Sequence, residues 1–542
     1  MSCSHRFFAF YLAFFCGVMS GCRDAGRSDS GAGSAPLNRS EASADTALAA
    51  GESLVAFLDQ VRPSVTAFCG DCHAMPRPES SPSGEWPEEV NQGFMLYGQS
   101  GRTDLTIPPY GDVLDFFQKQ APTRLEMPSS IKNYPPSSIP FDRREVHAQG
   151  RRSPAITNVQ WIDLEIGDSP ALIYTDIATG MVKAHWRESV HRIATLLQPV
   201  HCEPCDLNDD GLIDLVVADI GEFNANDTDI GRVVWLRQRP AEELESPELE
   251  SPEPNLADRF ESIVLLDGLS RVADVRTGDF DQDGDDDCLV AVFGWRKSGE
   301  ILLLVNQGLG DDDRPQFEVQ AIDDRSGPVH VPTIDLNGDG HLDFIALISQ
   351  EHEIVEAFLN DGTGHFEKQT IWEAPDPAYG SSGIELVDMD NDGDSDILYT
   401  NGDSFDRGVK PHHGVQWLEN TGTYPYTHHH VGWMPGVQNA RPGDFDNDGD
   451  IDIIAGSLVV GPADLVLREP QFSSLVLFEQ TAPNQWKPQQ MEHGNHRHLS
   501  LAAGDFDGDG RLDLAAGNFM RDENPDNPDL IIWSPRPPQI DR

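Results

Sequence analysis

Along most of the chain, short apolar runs alternate with acidic turns. "LVVA", "CLVA", "FIAL", "ILYT", "IIAG" and "LAAG" each follow an Asp-rich loop. Runs this short, bounded by Gly, Asp and Asn, read as buried strands rather than helices. After each comes a second apolar strand, such as "GRVVWL", "EILLLV" or "SLVLFEQ". A third follows, often opened by an aromatic, as in "FESIVL", "FEVQAI" and "HFEKQTI". The segment ahead of each loop supplies a fourth. The first aspartate of the loop recurs at 206, 279, 335, 388, 444 and 505, and the last four steps are 56, 53, 56 and 61 residues. A four-stranded unit repeated at that period predicts the radial blades of a β-propeller.

The loops share one pattern, D-x-[DN]-x-D-G-x-x-D. They carry Asp206, Asn208, Asp210 and Asp214; Asp279, Asp281, Asp283 and Asp287; and Asp335, Asn337, Asp339 and Asp343. The later three carry Asp388, Asp390, Asp392 and Asp396; Asp444, Asp446, Asp448 and Asp452; and Asp505, Asp507, Asp509 and Asp513. Carboxylates this dense repel each other unless a cation sits among them. Ca²⁺ takes six to eight oxygens in a flexible shell, whereas Mg²⁺ holds its waters in a tighter octahedron. Side chains at loop positions 1, 3, 5 and 9 with the position 7 carbonyl nearly fill a Ca²⁺ shell, and the glycine at position 6 permits the sharp turn. An EF-hand would need Glu at position 12. That place holds Val217, Val290, Ala346, Tyr399, Ala455 and Ala516.

These residues resemble the FG-GAP/VCBS-type repeat propellers, including the integrin α-chain head, over residues 139–542. The resemblance implies a propeller with Ca²⁺ loops between the first two strands of a blade, and only rarely an enzymatic activity. "NVQWIDLEIGDSPALIYTDIATGMVKAHW" aligns on Asp163 with the same strands but has Gly167 and Ala171 where ligands belong. It reads as a blade without metal, which makes seven. The last repeat lacks its outer strand. "FDRREVHA" begins at Phe141, 22 residues before Asp163, the offset by which Phe366 precedes Asp388. The segment 139–148 is therefore expected to close the ring. The strand before each loop should be innermost, with the residues five and three places before the first aspartate facing a central channel. These include Asn158 and Gln160 in the first blade, then His201, Glu203, Asp274, Arg276, His330, Glu385, Asn439 and Arg441. A wet pore and a ligand site are both open readings of that polar set.

The N-terminal part is of another kind. Arg6, the apolar run Phe7–Val18 and "MSGC" read as an export signal over residues 1–22, too short for a membrane span. It resembles a bacterial lipoprotein signal, which implies a lipid on Cys22 and attachment to the periplasmic or outer cell surface. Residues 23–50 read as a flexible linker. In "FCGDCHAMP", Cys69, Cys72 and His73 form C-x-x-C-H, the attachment signature of covalent c-type haem. Helical periodicity flanks it in "ESLVAFLDQVRPSVTAF" and "YGDVLDFFQKQAP". Residues 51–135 are thus similar to a small α-helical cytochrome c domain, with Met127 expected as distal ligand and Met95 and His147 as alternatives. A disulfide or a zinc site uses the same residues, although zinc needs a fourth ligand. Cys202 and Cys205 lack the trailing histidine and read as a disulfide. The histidines of "THHHV" at 428–430 read as surface residues of a strand, His428 and His430 on one side and His429 on the other, with a second metal site alongside His412 and His413 left open.

Composition narrows the partners. Lys and Arg number 38 against 91 Asp and Glu, a balance of −53, which excludes nucleic acid. Six Ca²⁺ would cancel twelve of these charges, and the remainder favours a basic partner. Millimolar calcium outside the cell fills even sites with Kd of about 10⁻⁴–10⁻³ M. No P-loop, dinucleotide fingerprint or Ser-His-Asp spacing marks an enzyme. Two functions follow. One is an exported cytochrome passing single electrons, as a component of an oxidoreductase, to a redox protein partner or envelope component docked on the propeller. The other is a non-redox, calcium-dependent surface-binding or adhesion propeller in which Cys69 and Cys72 are cross-linked.

Overall fold

A computed structural model describes residues 42–536, except 133, 149–151, 167–168, 241–242, 245–254, 296–297, 312–313, 406–407, 461–471, 520–523 and 525, and gives only the backbone of 42–53. The expected signal, Cys22, most of the linker and Gly167 lie outside the described residues. The chain divides into two compact units, residues 1–60 and 61–542. In the first, the described residues begin a helix, α1 (Ala42–Cys69). The second contains the rest of α1, then α2 (Trp86–Gln99), α3 (Tyr110–Gln118) and all the strands. Among the described residues no helix is long and apolar enough to cross a membrane.

The helices pack because their apolar positions fall on single faces. Val61, Val65 and Phe68 of α1, Trp86 and Val90 of α2, and Val113, Phe116 and Phe117 of α3 are buried. These are the i, i+3 and i+4 spacings of one helical stripe. Trp86 stacks on Phe117 at 4.1 Å. The segment after α1 then docks on the blades. Arg77 N–H and Ser80 Oγ both donate to the buried carboxylate of Asp376, at 2.7 and 2.5 Å.

Seven antiparallel sheets follow, each ordered first strand to fourth. The first strands are Ile156–Ile162, Pro199–Cys205, Val272–Gly278, Pro328–His330 continued by Thr333–Ile334, Ser381–Val387, Val437–Gly443 and His498–Gly504. They adjoin each other from blade to blade and form the inner ring. The fourth blade's inner strand breaks at Pro332, which has no N–H for the ladder. Blade interfaces are apolar: Phe280, Leu289, Ala291, Phe344 and Phe358 meet between blades 3 and 4.

Closure occurs where the 22-residue offset places it. Phe141–Val146 pairs antiparallel with Leu530–Pro535, from Phe141 opposite Pro535 to Val146 opposite Leu530. Sequence-distant chain thus completes blade 7. A second device at this seam is ionic. Lys183 Nζ from blade 1 lies 2.8 Å from Asp176 and 2.8 Å from Asp529, which immediately precedes the last strand. Tyr174 OH donates to Asp529 at 3.1 Å, and all three charged residues are buried. The outer edge of blade 6 is also covered: Gln490 N–H donates to Pro135 C=O at 2.7 Å, and Ser137 N–H to Gln490 C=O at 2.9 Å. A covered edge cannot template aggregation.

Candidate metal sites and central cluster

Every acidic loop joins the first and second strands of its blade, so all six lie on one face of the ring. The residue at position 2 anchors each loop: Leu207, Phe280, Leu336, Met389, Phe445 and Phe506 pack into the blade interfaces. Position 6 is glycine at φ between +79° and +101° in all six loops, where an L side chain is strained. The position 1 carboxylate then accepts two backbone amides, from position 5 at 3.0–3.2 Å and position 6 at 2.8–3.1 Å. This curls the loop so that successive carboxylates converge. Ligand oxygens of Asp279, Asp281 and Asp283, of Asp388, Asp390 and Asp396, of Asp444, Asp446 and Asp448, and of Asp505, Asp507 and Asp513 lie within 4.8 Å of one another.

The donor set fits a hard cation. Asn208 Oδ1, Asp281 Oδ1 and Asp452 Oδ2 are buried acceptor atoms with no hydrogen-bond partner. An orphaned buried oxygen is costly unless a cation or water satisfies it. Burial and neighbouring carboxylates raise Asp281, Asp390 and Asp446 above the usual range. The clusters are compatible with Ca²⁺, and among the described residues no such cluster includes a histidine or cysteine.

Position 9 has a second role that the motif does not disclose. Its aspartate opens the second strand and is at most 1% exposed in all six loops. In blades 3, 4 and 5 one oxygen accepts the position 2 amide at 3.0 Å, and the other accepts the amide of Asn306, Asn360 or Asn420 at 2.7 Å. Those asparagines lie near, at or just past the end of the third strand and bond back to the loop: Asn360 Nδ2 donates to Leu342 C=O at 3.1 Å. The "NQG", "NDG" and "NTG" near the ends of the third strands were the available signal. Burial pushes Asp214, Asp287 and Asp452 up to about 7 and Asp396 to about 6.

A family model described as FG-GAP-like repeat matches residues 279–346 and 335–399, and the FG-GAP repeat matches 499–527. The matches fall in blades 3 to 5 and in blade 7 of the seven-bladed β-propeller, which thus contains FG-GAP-type repeats. No curated protein matches this sequence. Among solved structures, a chain of the crystal structure of BBS1N in complex with ARL6DN, soaked with mercury, is similar at 12% identity and TM-score 0.43, over 75% of this chain and 99% of that one. The same complex soaked with lead gives 11%, 0.41, 74% and 98%.

On the axis of the propeller the polar set pairs largely with itself. Asp274 is fully buried and lies 3.2 Å from His201 Nε2 and 3.3 Å from Arg276 Nη2. Arg276 Nη1 reaches Glu203 at 3.2 Å, and His201 Nδ1 meets Asn158 at 3.2 Å. Against the burial that would raise it, Arg276, His201 and His330 hold the Asp274 carboxyl well below the usual range. Arg441 pairs separately with Glu385 at 2.6 Å, and Asn439 Oδ1 has no partner. On the face away from the acidic loops, Phe223, Phe405 and Phe519 from blades 2, 5 and 7 meet with ring centroids 5.5–6.4 Å apart. Rings from non-neighbouring blades meet only over the axis, so this end is stoppered.

The cysteines depart from expectation as well. Cys202 and Cys205 are free, because residues three apart on a strand point to opposite faces. Cys202 packs between blades 1 and 2, Cys205 between blades 2 and 3 beside Cys288. The cross-link between Cys69 and Cys72 is likewise absent. Cys69 ends α1, with its thiol pushed to about 11 by burial, whereas Cys72 is exposed and accepts from Arg102 at 3.0 Å. His73 Nδ1 meets Ala74 C=O at 2.8 Å. Met127 packs against Ile131, Val459 and Phe472. His428 stacks on Trp372, and His429 on Trp417 while bonding Glu419 at 2.6 Å. These histidines serve packing.

Proposed function

We propose that the protein is an exported, calcium-stabilised binding propeller that engages a macromolecular partner or glycan of the cell envelope through the face bearing the acidic loops. The observation that supports this reading most is the repetition of the acidic loop six times on that one face, with three carboxylates converging in four of the six. Cations there would fix the loops into a rigid, laterally extended surface. The opposite face is less available, since Asp376 docks the helical segment and three phenylalanines cover the axis. A lipid at Cys22 would hold the ring at a membrane. Beads coated with the mature chain should adhere to envelope preparations in 1 mM Ca²⁺ and detach in EGTA. Adhesion indifferent to EGTA would refute the reading.

A second reading keeps the C-x-x-C-H motif as a haem attachment site, with electron transfer to a docked redox partner. Its support is local. Free Cys72 and the exposed apolar residues Met95, Ile107 and Tyr110 lie in the same small helical region. Cys69 and Cys72 would hold the porphyrin by thioethers and His73 would ligate the iron, which would supply one-electron chemistry. A haem-stained gel of protein matured with haem-attachment machinery decides it: no covalent stain removes this reading.

A further inference from the structure

The six acidic loops are not equivalent. At position 5, Oδ1 always accepts the position 7 amide, at 2.9–3.1 Å. Oδ2 divides the loops into two sets. In blades 2 and 4 it accepts the amide nitrogen of Asn208 or Asn337 at 2.9 Å. In blade 7 it accepts from the guanidinium of Arg511, at position 7. In blades 3, 5 and 6 the position 3 residue is aspartate, which cannot donate, and position 7 is aspartate too. Among the described residues no amide or guanidinium caps the position 5 side chain in these loops, and the side chains that approach Asp283, Asp392 and Asp448 are themselves carboxylates: Asp281, Asp394, and Asp446 with Asp450.

Charge follows the same division. Blades 3, 5 and 6 place aspartate at positions 1, 3, 5, 7 and 9, a formal charge of −5. At the same odd-numbered positions blades 2 and 4 have three carboxylates, and blade 7 has four offset by Arg511, so each carries −3 there, while Asp209 in blade 2 and Asp286 in blade 3 add one charge each at even positions. Asp394 Oδ1 and Asp450 Oδ1, at position 7, are buried without partners, as is Asp452 Oδ2, whose residue is wholly buried. Calcium affinity in such loops is set largely by the number of charged ligands.

We propose that the propeller holds two classes of divalent-cation site: three open, high-affinity sites in blades 3, 5 and 6, and three self-capped, low-affinity sites in blades 2, 4 and 7. This rests on the calcium reading. The capped loops carry their own donor against the position 5 carboxylate and keep their shape without the ion. The open loops have no such donor and depend on the cation. The ring then has a standing complement of three ions and three more that come and go as external calcium changes.

Isothermal titration of the calcium-stripped full chain with CaCl₂, checked by Tb³⁺ luminescence, tests this. Two classes in a 3:3 ratio are expected, separated by about tenfold or more in Kd. Arg511→Asp removes the cap in blade 7 and should give 4:2. Asp390→Asn installs a capping amide in blade 5 and should give 2:4, which keeps the test open if the first variant folds poorly. A single class of six equal sites, or variants that leave the ratio at 3:3, would overturn the proposal while leaving the calcium reading intact. No calcium uptake at all would remove both.

Discussion

Replacing Lys183 by methionine should loosen the ring at its seam. The ammonium is about 5% exposed and bridges two buried carboxylates, Asp176 of blade 1 and Asp529 beside the closing strand. Methionine keeps the apolar stem and removes the charge. Among the described residues Asp529 keeps only the Tyr174 hydroxyl, and Asp176 keeps its bonds from Thr179 and the Ala155 and Ala178 amides. Stripping one partner from a buried ion pair costs about 3–5 kcal/mol, because the remaining charge is left uncompensated. At about 2 °C per kcal/mol, the figure for larger domains, Tm should fall by roughly 6–10 °C. Thermal unfolding followed by circular dichroism in saturating Ca²⁺ measures the drop. Adding Asp529→Asn to Lys183→Met removes the orphaned charge and should recover part of the loss. A fall of under about 2 °C, or a double variant whose losses simply add, would refute the seam reasoning.

Deleting residues 141–146 should destabilise the propeller more than deleting 61–125, because only the former exposes the edge Leu530–Pro535; equal melting losses would contradict ring closure by this strand. Metal-stripped protein should lose stability as pH rises from about 4 to about 7. Buried Asp214, Asp287 and Asp452 keep their protons to about 7 when folded and release them near 3.8 when unfolded, so deprotonation penalises only the folded state. Saturating Ca²⁺ should flatten that slope, leaving a residual fall towards pH 8 from Glu353, pushed to about 8 by burial. A Tm that rises with pH in stripped protein would be the wrong sign.

The loops were legible because their chemistry is fixed position by position. Asp444, Asp446 and Asp448 converge through bonds internal to ten residues. The closing strand was legible because the outer strands that precede blades 1 and 5 start at one offset, 22 residues before the loop aspartates Asp163 and Asp388. What sequence reading missed depends on distance or on dual use. Phe223, Phe405 and Phe519 lie in connections without periodicity, and only the closed ring brings them together. Lys183 looks like one surface lysine until Asp529 arrives from the far end of the chain. Helix α2 was overlooked because Pro87, Gly93 and Gly98 interrupt its pattern, although Pro87 sits in the first turn where its missing N–H is harmless. The disulfide expected at Cys202 and Cys205 ignored the alternation of a strand. The alternation marked the inner-strand set, but spacing gave no means of seeing that Asp274, Arg276, Glu203 and His201 satisfy one another.

Calcium carries the account, and its most direct test is a melting curve of the full chain, stripped of metal and then titrated. Coordination by the cages adds binding free energy to folding free energy, worth RT ln(1 + [L]/Kd) at each site, about 2.7 kcal/mol at a hundredfold excess over Kd. Several sites in one closed ring should raise Tm steeply with added Ca²⁺ and little with equimolar Mg²⁺. Asp448→Ala should reduce the rise, while Ala171→Ser, in the blade with no cage, should leave it unchanged. A Tm indifferent to Ca²⁺ on protein shown to be metal-free would contradict the account.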